Sequence, residues 1–384
     1  MSYEITSCRW RDYFLRGGND FTLFWEDFLS EKRDLLFLLG HGFDARMCEC
    51  SESILSIGRE GVRDALLIEY DEGAESSSHK YRAQREANGV RLEALFAERG
   101  ALSKRNIRML SEDGRRIGAR SIANEFPTIN EFLRYSDVIV DISALPRGLY
   151  FPLLSKLLAL FDQGLNGTPP PNLHVVVSHS AEHDDQIVDE GVDEAAGFLH
   201  GFAAASFELE ATRDQPRIWI PLLGKGQRLQ LERVYELVQP DEICPLLPSP
   251  AHDPRDADNL VLEYRDLLFD QLRVEPQNFI YAAETNPFEV YRQIVRSILH
   301  YKKALGPLGG CKAVVSAMSS KLLSLGAILA AYELSQWRQG ADRVDVGVGH
   351  VDTQGYRVLG TVPSEAKSEY YTMWLSGECY AQTK

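Results

Sequence analysis

Residues 137–160 read DVIVDISALPRGLYFPLLSKLLAL, and residues 311–334 read CKAVVSAMSSKLLSLGAILAAYEL. Each opens on a short apolar run rich in β-branched residues. Each then passes through a turn of small, hydroxyl or charged residues and continues as a longer apolar stretch. A short apolar run closed by turn residues has the length of a buried strand, whereas the longer stretch has the length of a helix. A strand apolar on both faces belongs in a parallel sheet that helices cover on both sides. The two segments therefore predict strand–turn–helix units of an α/β protein.

The same alternation extends in both directions. In the first half, strands are expected at 34–39 (DLLFLL), 64–70 (DALLIEY), 106–110 (NIRML), 137–142 and 173–178, with helices at 77–99, 125–135, 149–163 and 184–202. In the second half, strands are expected at 217–223 (RIWIPLL), 242–247, 278–283, 311–316 and 343–350, with helices at 228–238, 254–272, 287–304 and 320–337. Each first strand ends in Gly-x-Gly, at Gly40-His41-Gly42 and Gly224-Lys225-Gly226, and each fourth strand ends in a small polar residue. The expected fold is two tandem Rossmann-like halves with mainly parallel sheets, residues 34–205 and 206–384, after a helical lead-in over 1–33. Residues 203–216 would be the linker, and the Gly- and Tyr-containing tail is not assigned. The repetition predicts an internal duplication; the alternative is α/β alternation without one.

Composition sets limits on partners. The chain has 384 residues, 44% apolar and 25% charged, which suits two globular domains. Its net charge of −15 argues against general DNA or RNA binding, which draws on Lys and Arg. No apolar run approaches the roughly 20 residues of a membrane helix, and the N-terminal MSYEITSCRWRDYF lacks the apolar centre of a secretory signal. Six scattered cysteines, with Cys48 and Cys50 separated by one residue, match neither a redox nor a zinc spacing. A cytoplasmic location with reduced thiols, no membrane and no metal site is expected.

In open parallel sheets ligands sit beyond the carboxyl ends of the strands, so the residues just after each strand are the candidates. The first set is Gly40, Gly42, Asp44 and Arg46: glycines permit close backbone approach, and a helix start offers N–H groups to an anion. Glu69 and Asp71 end the second strand, where an acid commonly accepts hydrogen bonds from ribose hydroxyls. Asp141, Ser143 and Arg147 follow the fourth strand, and a carboxylate so placed needs a partner. Ser319, Ser320 and Lys321 open the matching helix of the second half, where hydroxyls and a lysine suit an anion, although a serine there also serves as an ordinary N-cap. His179 and His183 lie beside Asp184 and Asp185 but lack an evident third metal ligand. No G-x-S-x-G, HExxH, P-loop or kinase signature is present.

The motifs DISALPRG and SAMSSKLLSLGAILAA resemble the strand–turn–helix element of CRISPR-associated Rossmann-fold (CARF) sensor domains. That resemblance implies a sensor for cyclic oligonucleotides or similar messengers in prokaryotic antiviral defence, and it touches Ser143, Arg147, Ser319, Ser320 and Lys321. The stretch LLFLLGHGFDAR is similar to the first motif of leucine carboxyl methyltransferase-like enzymes, which implies S-adenosylmethionine at the glycine turn with Glu69 or Asp71 on its ribose. The leading expectation is a nucleotide-sensing or nucleotide-processing component of a bacterial defence system, with a small nucleotide as ligand and protein partners or a second copy of the chain beside it. The alternatives are an S-adenosylmethionine-dependent methyltransferase and a non-enzymatic scaffold subunit.

Overall fold

The computed structural model describes residues 8–58, 60–71, 73, 76–165, 167–184, 186–202, 214–360 and 368–383. The chain divides into two compact units, one of residues 12–191 with 353–384 and one of residues 1–11 with 192–352.

The first unit runs β1 (Phe14–Gly17), α1 (Asn19–Phe28), β2 (Leu35–Gly40), α2 (Glu49–Ile57), β3 (Arg63–Asp71), α3 (Arg82–Phe96), β4 (Leu102–Arg108), α4 (Gly118–Glu125), β5 (Asp137–Asp141), α5 (Arg147–Gln163), β6 (Asn172–His179), the single turn α6 (Ala181–Asp184) and β7 (Ile187–Val192). The second runs β8 (Gly197–Phe198), β9 (Arg217–Leu222), α7 (Arg228–Val238), β10 (Glu242–Ile243), β11 (Leu246–Pro248), α8 (Asp256–Glu263), β12 (Ile280–Ala282), α9 (Pro287–Ala304), β13 (Lys312–Ala317), α10 (Lys321–Tyr332) and β14 (Val346–His350). The chain then returns to the first unit as β15 (Thr353–Val358) and β16 (Glu369–Ser376).

Each unit holds a seven-stranded sheet. The first has the order β1-β16-β6-β5-β2-β3-β4, with β2 to β6 mutually parallel and β16 antiparallel to both β6 and β1. The second has the order β12-β11-β9-β13-β14-β8, again parallel except for the terminal β8, with β10 pairing β9. Counted along the chain, both parallel cores are ordered 3-2-1-4-5, a doubly wound Rossmann-like order. Both therefore reverse direction beside their first strand, between β2 and β5 in one unit and between β9 and β13 in the other.

Apolar burial explains why these segments hold together. All six residues of β2 and all five of β5 are buried, as sequence runs without alternation require. The first core joins Phe21 and Trp25 of α1 to Phe37 and Leu39 of β2 and to Leu92 and Phe96 of α3. The second centres on Trp219, Leu231, Val234, Leu247, Tyr264 and Val314. Each such side chain contributes about 1.5–3 kcal/mol when fully buried. Helix α10 is buried along nearly its whole length; a Cβ on Gly326 would fall 2.3 Å from the carbonyl oxygen of Pro287, so its glycine lets α9 pack close.

Five expectations change. The helix expected at 184–202 is absent: α6 is one turn, and the chain continues as β7 and β8. Gly191 has φ +70, a left-handed backbone that breaks a helix, and the segment pairs instead with β15. The helix expected at 125–135 does not form: α4 ends at Glu125, and the segment after it holds only a 3₁₀ turn at Ile129–Glu131. The strand expected at 106–110 begins earlier, at Leu102. The lead-in over 1–33 contains the expected helix, as α1, but also the strand β1. The unassigned tail supplies β15 and β16 to the first unit, so the second ends at Asp352 rather than at the end of the chain. The expected linker over 203–216 falls largely on residues 203–213, which lie outside the described residues. All six cysteines are free thiols.

Candidate functional site

The carboxyl edge of the first sheet gathers nine of the expected residues at or beyond the ends of β2, β3 and β5: Gly40, Gly42, Asp44, Arg46, Glu69, Asp71, Asp141, Ser143 and Arg147. Gly40 and Gly42 are there for close approach. A Cβ on Gly40 would lie 2.7 Å from the Leu145 side chain, and one on Gly42 would lie 3.1 Å from Cβ of Ala144. The turn after β5 thus packs directly onto the glycine turn after β2, at the point where the strand order reverses. The Tyr70 hydroxyl donates to the carbonyl of Ala144 at 2.9 Å and ties the end of β3 to the same turn.

Beyond the glycines lies a chain of charged groups centred on a buried arginine. Asp44 caps a 3₁₀ turn (Ala45–Cys48): its Oδ1 accepts the Arg46 amide at 3.0 Å and its Oδ2 accepts Arg46 Nε at 2.8 Å. Arg46 reaches with Nη1 to Asp184 Oδ1 at 2.8 Å, and Asp184 Oδ2 faces His179 Nδ1 at 3.3 Å. Arg46 is 4% exposed, so its guanidinium is held by carboxylates inside the protein. Burial works against its charge, but Asp44 and Asp184 outweigh that and raise it above the ordinary arginine value. Burial would also raise Asp184, yet the hydrogen bond from His179 and the Arg46 charge hold it down at about 2.

Two further networks complete the edge. Both ring nitrogens of His41 face acceptors, Glu69 Oε1 at 3.2 Å and the Arg85 carbonyl at 2.9 Å. Helix α3 fits against this turn because Gly89 leaves room for the His41 ring, while Asn88 Nδ2 donates to the carbonyl of Gly42 at 3.2 Å. On the other side, Asp141 Oδ1 accepts the Ser143 amide and Ser143 Oγ accepts the Ser178 amide, both at 2.8 Å. The Ser178 hydroxyl in turn donates to Glu49 at the start of α2. Asp71 is exposed and caps a local turn through the Gly73 amide at 2.9 Å. Arg147 is the first residue of α5 and is half-buried. Burial pushes the Cys48 thiol up to about 12 and the Cys50 thiol well above its ordinary value, so neither supplies a thiolate. His183 meets the Ser180 hydroxyl at 3.1 Å, and among the described residues no three His, Cys, Asp or Glu side chains converge to hold a metal ion.

Ser319, Ser320 and Lys321 belong to the other unit. Ser320 is the N-cap of α10, its Oγ accepting the Leu323 amide at 3.3 Å, and Lys321 is the helix's first residue. The glycine turn of that unit repeats the close approach: a Cβ on Gly224 would lie 1.9 Å from the carbonyl oxygen of Met318. Its donors face acids and a phenol near α8. The Gly226 amide donates to Glu263 at 2.7 Å, the Gln227 amide to Tyr264 at 2.8 Å, and Lys225 faces Asp256 at 3.4 Å. Carboxylates of the protein itself thus take the place an external anion would occupy at that turn.

Sequence reading did not single out His41, Tyr70, Glu49 or Ser178. His41 stands inside the quoted glycine motif; the others carry no local signal, because their partners come from distant strands.

No protein family matches the sequence, and no curated protein does either. Among solved structures the chain is similar to a Type III CRISPR defence DNA nuclease activated by cyclic oligoadenylate, at 10% identity and a TM-score of 0.43, covering 77% of this chain and 63% of the nuclease. A universal stress protein from Archaeoglobus fulgidus is 10% identical with a TM-score of 0.22, covering 82% of this chain and 94% of its own. NadR in complex with NAD and AMP-PNP is 11% identical with a TM-score of 0.24, covering 82% and 90%. No helix among the described residues is long and apolar enough to cross a membrane. The chain is a mixed α/β protein with two largely parallel sheets, and it spans less than two thirds of the nuclease it resembles.

Proposed function

We propose that the chain binds a nucleotide at the carboxyl edge of its first sheet and serves as a nucleotide-responsive component of prokaryotic antiviral defence. The observation that carries this reading is the buried Arg46, held between the half-buried Asp44 and Asp184 directly after the glycine turn. Buried ion pairs seldom repay their desolvation as stability, and charge clustered in this way at a sheet's reversal point marks a functional-site candidate. Glu69 and Asp71, at the end of the neighbouring β3, stand where an acid meets ribose, and Arg46 carries the fork that pairs with phosphate oxygens. The defence role rests on the resemblance of the two strand–turn–helix motifs to CARF sensors. The same edge would also serve S-adenosylmethionine, because Glu69 lies beside the glycine turn in both readings.

Native mass spectrometry of the freshly purified chain tests this reading. A co-purifying mono- or oligonucleotide is the expected finding, with loss of the adduct in Arg46→Lys. S-adenosylmethionine as the adduct would replace the sensor reading with the methyltransferase one. A chain that carries no small molecule and acquires none from a nucleotide mixture would sink both.

A further inference from the structure

Strands β7 and β15 pair as a separate two-stranded ribbon. Flanking hydrogen bonds, Asp193 N–H to the Asp352 carbonyl at 3.0 Å and Leu359 N–H to the Gln186 carbonyl at 2.7 Å, give it antiparallel register. Its residues are mostly half-buried or exposed. A two-stranded ribbon of this kind is marginal alone, so its position depends on what anchors it. Two anchors lead to the same short turn. The Val358 amide donates to the Tyr81 hydroxyl at 2.9 Å, and the Tyr81 ring stacks on Phe43 at 4.5 Å, inside the glycine turn. At the base of β7, Asp184 holds Arg46 of that turn, and the Gln186 amide donates to the His183 carbonyl at 3.1 Å.

We propose that the Asp44–Arg46–Asp184 triad is a latch, and that an anionic ligand at residues 42–46 opens it and releases the β7–β15 ribbon. The ligand half of this inference rests on the nucleotide reading above. The Arg46 guanidinium gives Nε and Nη2 to Asp44 and Nη1 to Asp184. A phosphate that takes up this fork must displace a carboxylate. Asp184 is the one displaced: its side chain is 36% exposed against 14% for Asp44, and it sits on a single helical turn where His179 at 3.3 Å remains its partner, whereas Asp44 is fixed by its own cap to the Arg46 amide. No bond is made or broken covalently; one carboxylate–guanidinium contact is exchanged for a phosphate–guanidinium contact. The released strands are also those through which the chain leaves this unit at Gly191 and re-enters it at Thr353.

Hydrogen exchange of the full chain, read by mass spectrometry, tests the latch apart from the ligand. In Asp184→Asn without ligand, peptides covering 186–192 and 353–359 should exchange about tenfold faster or more, with those of β2 and β5 unchanged. Arg46→Lys retains the charge without the fork and should give the same local effect; it decides the matter where Asp184→Asn loosens the whole unit. Ribbon exchange equal to wild type in both variants overturns the latch. In the wild type, ATP and a cyclic oligoadenylate are added in turn. A nucleotide that stabilises the protein yet leaves ribbon exchange unchanged overturns the latch and leaves the nucleotide reading standing. Failure of every nucleotide to bind, with the variants still loosening the ribbon, overturns that reading and keeps the latch.

Discussion

Arg46 shows how a single side chain can join the sheet edge to its surroundings. It follows the glycine turn, it is buried, and both its partners are acids. Removing one member of a buried ion pair typically costs about 3–5 kcal/mol, because the remaining charge is left unpaired. Arg46→Met is therefore expected to lose about 3 kcal/mol in urea unfolding, at the low end because Asp184 can turn toward water. Acid should act through the same group. The Asp184 pKa is held near 2, below an unfolded value of about 3.9, so its contribution to stability is present above about pH 4 and is lost as the pH falls toward 2. Asp137, buried at the opposite end of β5 beside His174, Asn172 and Arg33, is also lowered and acts in the same direction. Asp184→Asn should flatten the acid limb of a stability-versus-pH curve; an unaltered limb would contradict the assignment. The glycines predict a ranking. A methyl on Gly224 meets a backbone oxygen at 1.9 Å, whereas one on Gly42 meets a side-chain carbon at 3.1 Å. Gly224→Ala should therefore cost about 1–3 kcal/mol or more, and Gly42→Ala less, by thermal or urea unfolding.

Elements differ in how far local sequence specifies them. Helix α9 is read directly: Asn286 caps it, accepting the amides of Phe288 and Glu289, Pro287 takes the first turn, and Lys302 and Lys303 end it. Asn286→Ala and Ser320→Ala should each cost about 1 kcal/mol, measurable as a lower urea midpoint with an unchanged m-value. The parallel strands were legible because burial on both faces writes itself as an apolar run. By contrast, β16 was not. Its sequence EYYTMWLS is mixed, and it becomes a strand only by pairing with β6 and β1 from the far end of the chain. The segment after Asp184 misled for the opposite reason: its composition suits a helix, and a single left-handed glycine and a distant partner strand override it. The candidate site divides in the same way. Gly40, Gly42, Asp141 and Ser143 follow from the strand-end rule. The link from Arg46 to Asp184 crosses 138 residues of sequence, and no local pattern encodes it.

On the scale of the whole molecule, one strand order is built twice, each time with a glycine turn packed against the turn after the fourth strand. The two edges differ in charge management. The first surrounds a buried arginine with acids, whereas the second sets the acids of the α8 region against its own glycine turn. A net charge of −15 leaves any phosphate ligand dependent on local cations such as Arg46 rather than on the field of the molecule. Salt should accordingly weaken nucleotide binding only modestly, since a buried pair is little screened. The most direct test of the central claim is thermal unfolding of the wild-type chain titrated with ATP, NAD and cyclic oligonucleotides. The account predicts that one of them raises stability by about 2.7 kcal/mol at a hundredfold excess over its dissociation constant, and that Arg46→Lys largely abolishes the rise. Melting curves that do not move with any nucleotide, or that move equally in Arg46→Lys, would contradict it.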